Sequence, residues 1–409
     1  MKTFANFTPN LRFSQALTSF VSHFQTKQQA KTYFNQAHKT FAKKLELPKN
    51  QVLLTFGARS AFYALLRTLK LNHKAANQVL IASFTCRVMV NPILKAELQP
   101  VFFDLNSQNL RVDLEDLSSK LNSKTLAVVV QNTFGCHEDW PIIQKLIQQK
   151  APKAKIIMDN AHMLPNKVEI SDQKKFSDYA LFSFGSNKII NAAGLGALVD
   201  FHRAISKSMQ AHLQTLPKKH VQKQLCKNWI FKLSMPLYSI KIGKLIMFLA
   251  NKLGIINKVV TPQEKSLQTQ AIAYYKAPEF LGLTLAHGLK FYQTELTHRV
   301  LIKSIYQCNL KDHFKFDKWF RKAPIFFPIK VKNPKNLAKK LLKHGFQVNL
   351  DWTGALLVPD SKILPASFNP DNYPGSQEIS KHLLALPLNP TVSPNDAVKL
   401  VELINRYEK

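Results

Sequence analysis

Three features of this 409-residue sequence predict an α/β protein, with a three-layer α/β/α large domain built on a mostly parallel sheet and a smaller C-terminal α+β domain. Short apolar runs alternate with amphipathic stretches between Gln51 and Asp200. A basic, helix-like segment then interrupts the alternation, and a second, shorter α/β pattern closes the chain. The implied division is an N-terminal helical arm (1–45), a large domain (46–215), a basic amphipathic insertion (216–263), and a long helix with a small domain (264–409).

The runs "QVLLTF", "QVLIASF", "PVFFDL", "LAVVVQN" and "KIIMDN" have the length and β-branched, apolar composition of buried strands. Between them, "ARSAFYALLRTLK", "VMVNPILKAEL", "VDLEDLSSKLN" and "WPIIQKLIQQK" have helical spacing, and strands alternating with helices of this size form a parallel sheet covered on both faces. In such sheets ligands sit beyond the carboxyl ends of the strands. That rule gathers Gly57 to Ser60, Phe84 to Cys86, Asn132, Asp159 to His162 and Ser183 to Lys188 on one edge. Further along, "LTLAHGLKFYQTELTHRVLIKSIYQ" reads as a long helix, and "SPNDAVKLVELINRYE" as a closing helix capped by Ser393 and Asp396.

Composition narrows the function. With 45% hydrophobic residues the chain can bury a large core. Cys86, Cys136, Cys226 and Cys308 lie far apart without a CxxC pattern, so no metal site or disulfide framework is encoded, and a reducing cytoplasm is expected. No secretory leader is recognisable, and no run reaches the roughly 18 apolar residues of a spanning helix. The formal charge of +32 draws polyanions to the surface. Much of it is local, because residues 201–263 hold eleven Lys and Arg and no acid.

Lys188 stands out within "SFGSNKIINAAGLG", among small and apolar neighbours. Desolvating an ammonium, or setting it near other positive charge, lowers its pKa and frees the amine to form a Schiff base with a carbonyl. An aldehyde cofactor such as pyridoxal phosphate (PLP) also needs an anion cradle and a carboxylate that keeps its ring nitrogen protonated. "TFGARS" supplies a strand, a turn at Gly57 and a helix start at Ala58 and Arg59, which aims backbone N–H groups at an anion; Ser183 adds a hydroxyl. Asp159 ends a buried strand as a carboxylate able to face the ring.

On these residues the chain resembles the DegT/DnrJ/StrS family of sugar aminotransferases, within the fold-type I PLP enzymes. "FGARSAFYALL" resembles the family's phosphate cup, and "IASFTCRVMVNPILKAELQPVFFDL" its strand–helix–strand. "IIMDNAH" and "FSDYALFSFGSNKIINAAGLGALV" resemble its cofactor segments, and "SKHLLALPLNPTVSPNDAVKLVELI" its closing segment. The resemblance implies PLP, a homodimer, and transfer of an amino group from an amino acid donor to a keto sugar, nucleotide-linked, for cell-surface glycans. It implies Lys188 as the cofactor lysine and acid/base, Asp159 as partner of the pyridine nitrogen, His162 at the cofactor's 3-oxygen, and Ser183 with Ala58 and Arg59 at the phosphate.

The sequence departs from that pattern at three places. Cys86 stands where the family places a stacking aromatic, so stacking passes to that thiol or to Phe84; the "G.N.R" segment of the neighbouring subunit is not recognisable; and Ala197 replaces the second glycine of a pair. Two alternatives follow: a degenerate PLP-fold protein with a regulatory or scaffold role, or a sugar dehydratase, against which Lys188 itself argues, since histidine replaces the lysine there.

In the segment 229–260, Lys241, Lys244, Asn251 and Lys252 share a stripe beside an apolar arc of Ile242, Leu245, Ile246, Leu249, Leu253 and Ile256, with Trp229 and Tyr238 nearby. This pattern suits a helix lying on an anionic membrane surface, at the inner face, or one docked on protein. Nucleic acid is disfavoured, because the aromatics follow the apolar pattern instead of interleaving with the basic residues.

Overall fold

The computed structural model describes residues 12–136, 138–237, 242–255, 260–266, 268–316, 324–360 and 363–408. Its strands are β1 (Val52–Phe56), β2 (Gln78–Ala82), β3 (Thr85–Cys86), β4 (Gln99–Phe103), β5 (Thr125–Gln131), β6 (Lys155–Asp159), β7 (Tyr179–Phe184), β8 (Leu195–Asp200), β9 (Tyr275–Lys276), β10 (Phe326–Lys330), β11 (Leu357–Val358) and β12 (Leu383–Pro387). Eight of them form one sheet in the order β4-β2-β5-β6-β7-β8-β1-β9. The five from β4 to β7 are parallel, whereas β8 pairs antiparallel with both β7 and β1, and β9 antiparallel with β1. Two reversals leave β1 pointing the same way as β7. The carboxyl ends of β1, β2, β5, β6 and β7 therefore meet at one edge, although β1, first in sequence, lies next to β8 at the far side.

Strand alternation divides the interior between the two faces of the sheet. Leu80, Ala82, Val128 and Val130 enter one core, and Val79, Ile81, Ala127 and Val129 the other. The first of these cores also receives Ala37 and Phe41 from the N-terminal helix Lys27–Lys44 and Leu285 and Tyr292 from the long helix Gly282–Asn309. These two helices come very close: a Cβ on Gly282 would lie 2.4 Å from the Cα of Phe34, so only glycine fits there.

Antiparallel β10 and β12, the helices Pro334–Lys343 and Pro394–Tyr407, and the end of the long helix share a separate core. The Pro394–Tyr407 helix starts with the expected capping box, in which the Asp396 N–H donates to Ser393 Oγ at 3.2 Å and the Ser393 N–H donates to the Asp396 carboxylate at 3.1 Å. From this part of the chain β11 returns to pair in parallel with β3, bringing Leu357 and Val358 beside Thr85 and Cys86. Among the described residues, no helix is long and apolar enough to cross a membrane.

Candidate functional site

The strand ends position most of the predicted residues through three connections, and Phe84 and Cys86 follow β2 on a fourth. After β1 the chain turns at Gly57, whose φ of 79° is in the region favoured by glycine, and enters the helix Ala58–Asn72 with no side-chain cap. The positive end of the helix dipole is thus left for an anion. Gly196 on β8 allows this turn to lie against the sheet, since a Cβ there would stand 2.4 Å from the Ala58 nitrogen. This is the glycine that persists beside Ala197, and Ala197 itself is fully buried in the core.

After β6, Asp159 is buried and accepts the Ala161 N–H at 2.8 Å. His162 follows one turn on, also buried, and its Nδ1 accepts the N–H of Phe134 at 3.2 Å. That contact assigns the ring proton of the neutral imidazole to Nε2. The third connection joins β7 to β8. Ser183, half-buried, pairs with Gly196 in the ladder, and the loop beyond it carries Lys188, also half-buried.

The electrostatics tie these groups into one unit. Burial pushes the Lys188 ammonium below its ordinary value; the charges of Cys86 and Asp159 oppose that shift, and the Arg59 guanidinium adds to it. Burial raises the Asp159 carboxyl, against the pull of the Ala161 N–H and of Lys188. His162 is held well below the usual histidine value, first by burial and then by Lys188. Burial likewise raises the Cys86 thiol, while Lys188 and Arg59 draw it down. Lys188 acts on all three of the others, which ties Asp159, His162 and Cys86 to one amine.

Two side chains stand differently from the expectation. Phe84 has no exposed surface; its ring meets Trp352 edge-on at 5.3 Å, so it has no face to stack on a cofactor, and of the two only Cys86 keeps exposed surface. Arg59 is ion-paired through Nη1 to the buried carboxylate of Glu264, so its charge is shared with this chain's own acid. Sequence reasoning missed Glu264, Tyr274 close by, and Trp352, whose ring lies 5.1 Å from that of His162. Each comes from a distant part of the chain; only the Thr261–Glu264 capping box was locally visible.

The residues fit a PLP-type group: an uncapped helix start and a serine for a phosphate, a buried carboxylate for a ring nitrogen, a neutral imidazole donor, and a desolvated amine. Spr1654 from Streptococcus pneumoniae, in its PMP form, shares the fold with a TM-score of 0.71 and 16% identity over 98% of both chains. GDP-perosamine synthase of Vibrio cholerae is 29% identical over 123 residues, 30% of this chain and 33% of that protein. UDP-N-acetyl-3-dehydro-alpha-D-glucosamine 3-aminotransferase of Acidithiobacillus ferrooxidans is 25% identical over 144 residues, 35% of this chain and 38% of that protein. The chain thus matches little more than a third of the length of these curated relatives. The sequence profile of the DegT/DnrJ/EryC1/StrS aminotransferase family matches residues 18–232, and the chain belongs to that family.

Proposed function

We propose that the protein is a PLP-dependent aminotransferase that converts a nucleotide-linked keto sugar to an amino sugar, drawing its amino group from an amino acid. The observation that carries this reading is the desolvated Lys188 amine, set in one electrostatic unit with Asp159, His162 and Cys86. Family membership supports the reaction class, and two relatives named for GDP- and UDP-linked sugars support the substrate class.

Bound here, PLP would supply the electron sink for removing a proton from carbon and would carry the amino group from the donor to the keto sugar. The chain's own residues do the rest. Lys188, its charge weakened by burial, takes and returns that proton. Asp159, oriented by the Ala161 N–H, offers its charge to the ring nitrogen. His162 keeps a donor at Nε2, because Nδ1 is occupied by the Phe134 N–H. Ala58, Arg59 and Ser183 hold the phosphate, with backbone N–H groups carrying much of that role, since Arg59 is paired to Glu264.

The purified protein with PLP is expected to show a visible absorbance band that borohydride removes. With glutamate as donor it is expected to add an amino group to at least one member of a panel of GDP- and UDP-linked keto sugars, read by mass spectrometry. Absence of both would leave a non-catalytic, scaffold-type protein. A homodimer accompanies the reading and is checked by light scattering after size exclusion.

A further inference from the structure

We propose that two acid-free stretches of the chain, brought together by the fold, form a docking surface for an anionic lipid bilayer. The helix Phe13–Val21 buries Gln15, Ala16 and Ser19 and exposes Phe13 (67%), Leu17 and Phe20, with Phe24 (71%) in the next turn. These exposed positions fall at i, i+4, i+7 and i+11, on one face. The helix is thus inverted, with its polar side inward and its phenyl rings outward. Hydrogen bonds hold it that way: Gln15 donates to the Asn191 carbonyl, and Asn228 donates to Ser19 Oγ at 3.0 Å. Asn191 lies three residues beyond Lys188 on the same connection, so the surface is anchored to the loop that carries Lys188.

The helix Ile242–Lys252 also turns large apolar side chains outward, beside its exposed Lys244 and Lys252. It buries Gly243 and Ala250 and exposes Ile242, Leu245, Phe248 and Leu249, followed by Leu253 (72%). The helix Gln222–Ser234 joins the two: Ala16 and Phe231 form a small core with Trp229 and Met247, and the Phe20 ring meets Trp229 edge-on at 6.1 Å. Tyr238, Lys241 and Ile256, which belong to the sequence pattern, lie outside the described residues.

Charge identifies the occupant. The first acid of the chain is Glu46, and none occurs between residues 201 and 263, while Lys223, Lys232, Lys244 and Lys252 lie in the same helices. A second copy of this face would oppose cation to cation. Nucleic acid would neutralise the lysines and leave the apolar rings without a role. An anionic bilayer accepts both, taking the apolar side chains into its acyl boundary and the lysines at its headgroups. A contiguous apolar face of this kind marks an interaction site on a folded protein.

Flotation with phosphatidylcholine vesicles, with and without phosphatidylglycerol, tests this. The full chain is expected to float only with the phosphatidylglycerol vesicles and to be released as salt screens the charges. Two independent variants, Phe13→Asp/Leu17→Asp/Phe20→Asp and Leu245→Asp/Phe248→Asp/Leu249→Asp, are each expected to reduce the floated fraction at least tenfold. The cofactor absorbance band and far-ultraviolet circular dichroism report that the variants remain folded, and the band reads the aminotransferase assignment independently. The proposal is overturned if the protein fails to float at low salt, if both variants float as the parent does, or if they lose a dimer or an RNA complex while vesicles were never bound.

Discussion

The sheet edge around Lys188 and the helical face around Leu245 are both inverted, in opposite senses. At the sheet edge the fold buries what water would hold best: Asp159 at 8% exposure, His162 at 7%, and an amine beside them. At the helical face it exposes what water holds worst, with Phe248 at 61% and Leu253 at 72%. Burying polar groups costs stability unless each finds a partner, and exposing apolar ones forgoes their burial. Neither arrangement strengthens the fold, which is why both mark function. Perturbed ionisation distinguishes the first and acid-free charge the second.

Substitutions at the two regions should therefore behave in opposite ways. The largest effect is expected at the amine. Lys188→Ala should lower transamination by at least about 10²–10⁴-fold, the contribution of a positioned acid–base group, and abolish the borohydride-fixed adduct while the melting temperature holds. A variant that transaminates at the parent rate would remove Lys188 from the site. Asp159→Asn keeps the shape and removes the charge, so turnover should fall by on the order of 10²-fold while cofactor is still bound; stopped-flow absorbance separates binding from the slowed step.

A third test reads the cost of a buried polar group directly. Glu138, 3% exposed, has its carboxyl raised to about 7, mainly by burial, against the Val112 N–H and the Arg111 guanidinium. With the folded value above the unfolded one, its contribution to stability is fully present below about pH 4.5 and is lost as pH rises through about 7. Glu138→Gln should accordingly stabilise the protein at pH 8, by up to about 3 kcal/mol, and do little near pH 5. Denaturant unfolding at the two pH values measures the difference, and an equal effect at both would show that the carboxyl is not raised. Gly196→Ala forces a Cβ to within 2.4 Å of backbone at Ala58; overpacking of this kind costs about 1–3 kcal/mol and should also weaken PLP binding by displacing the phosphate turn. The smallest effect belongs to the helical face. Leu253→Ser should change stability by no more than about 0.5 kcal/mol, and a larger loss would mean that Leu253 is covered by another part of the fold.

Much of the molecule was legible along the chain. The runs from "QVLLTF" to "KIIMDN" became β1, β2, β4, β5 and β6 because β-branched apolar runs of that length bury on both faces of a sheet, and the Ser393 cap became a helix start because its hydrogen bonds close within three residues. Lys188, Asp159, His162 and Ser183 could be named because strand ends of one direction share an edge. What the sequence did not disclose lies across long separations. It did not show that β1 would lie beside the reversed strand β8, that Glu264 would reach Arg59 from 205 positions away, or that Trp352 would meet both Phe84 and His162.

The direction in which the helix Phe13–Val21 faces is also a tertiary result. Its periodicity defines an apolar stripe, and the usual expectation is that such a stripe turns inward; Asn191 and Asn228 take its polar side instead. The sequence by itself determined the elements, their order and which polar groups end the strands of one sheet edge, because periodicity and capping act between near neighbours. Only the tertiary structure decided which groups share their charge, which rings are sealed and which apolar faces stay open, because those depend on packing between segments whose separation along the chain carries no local signal.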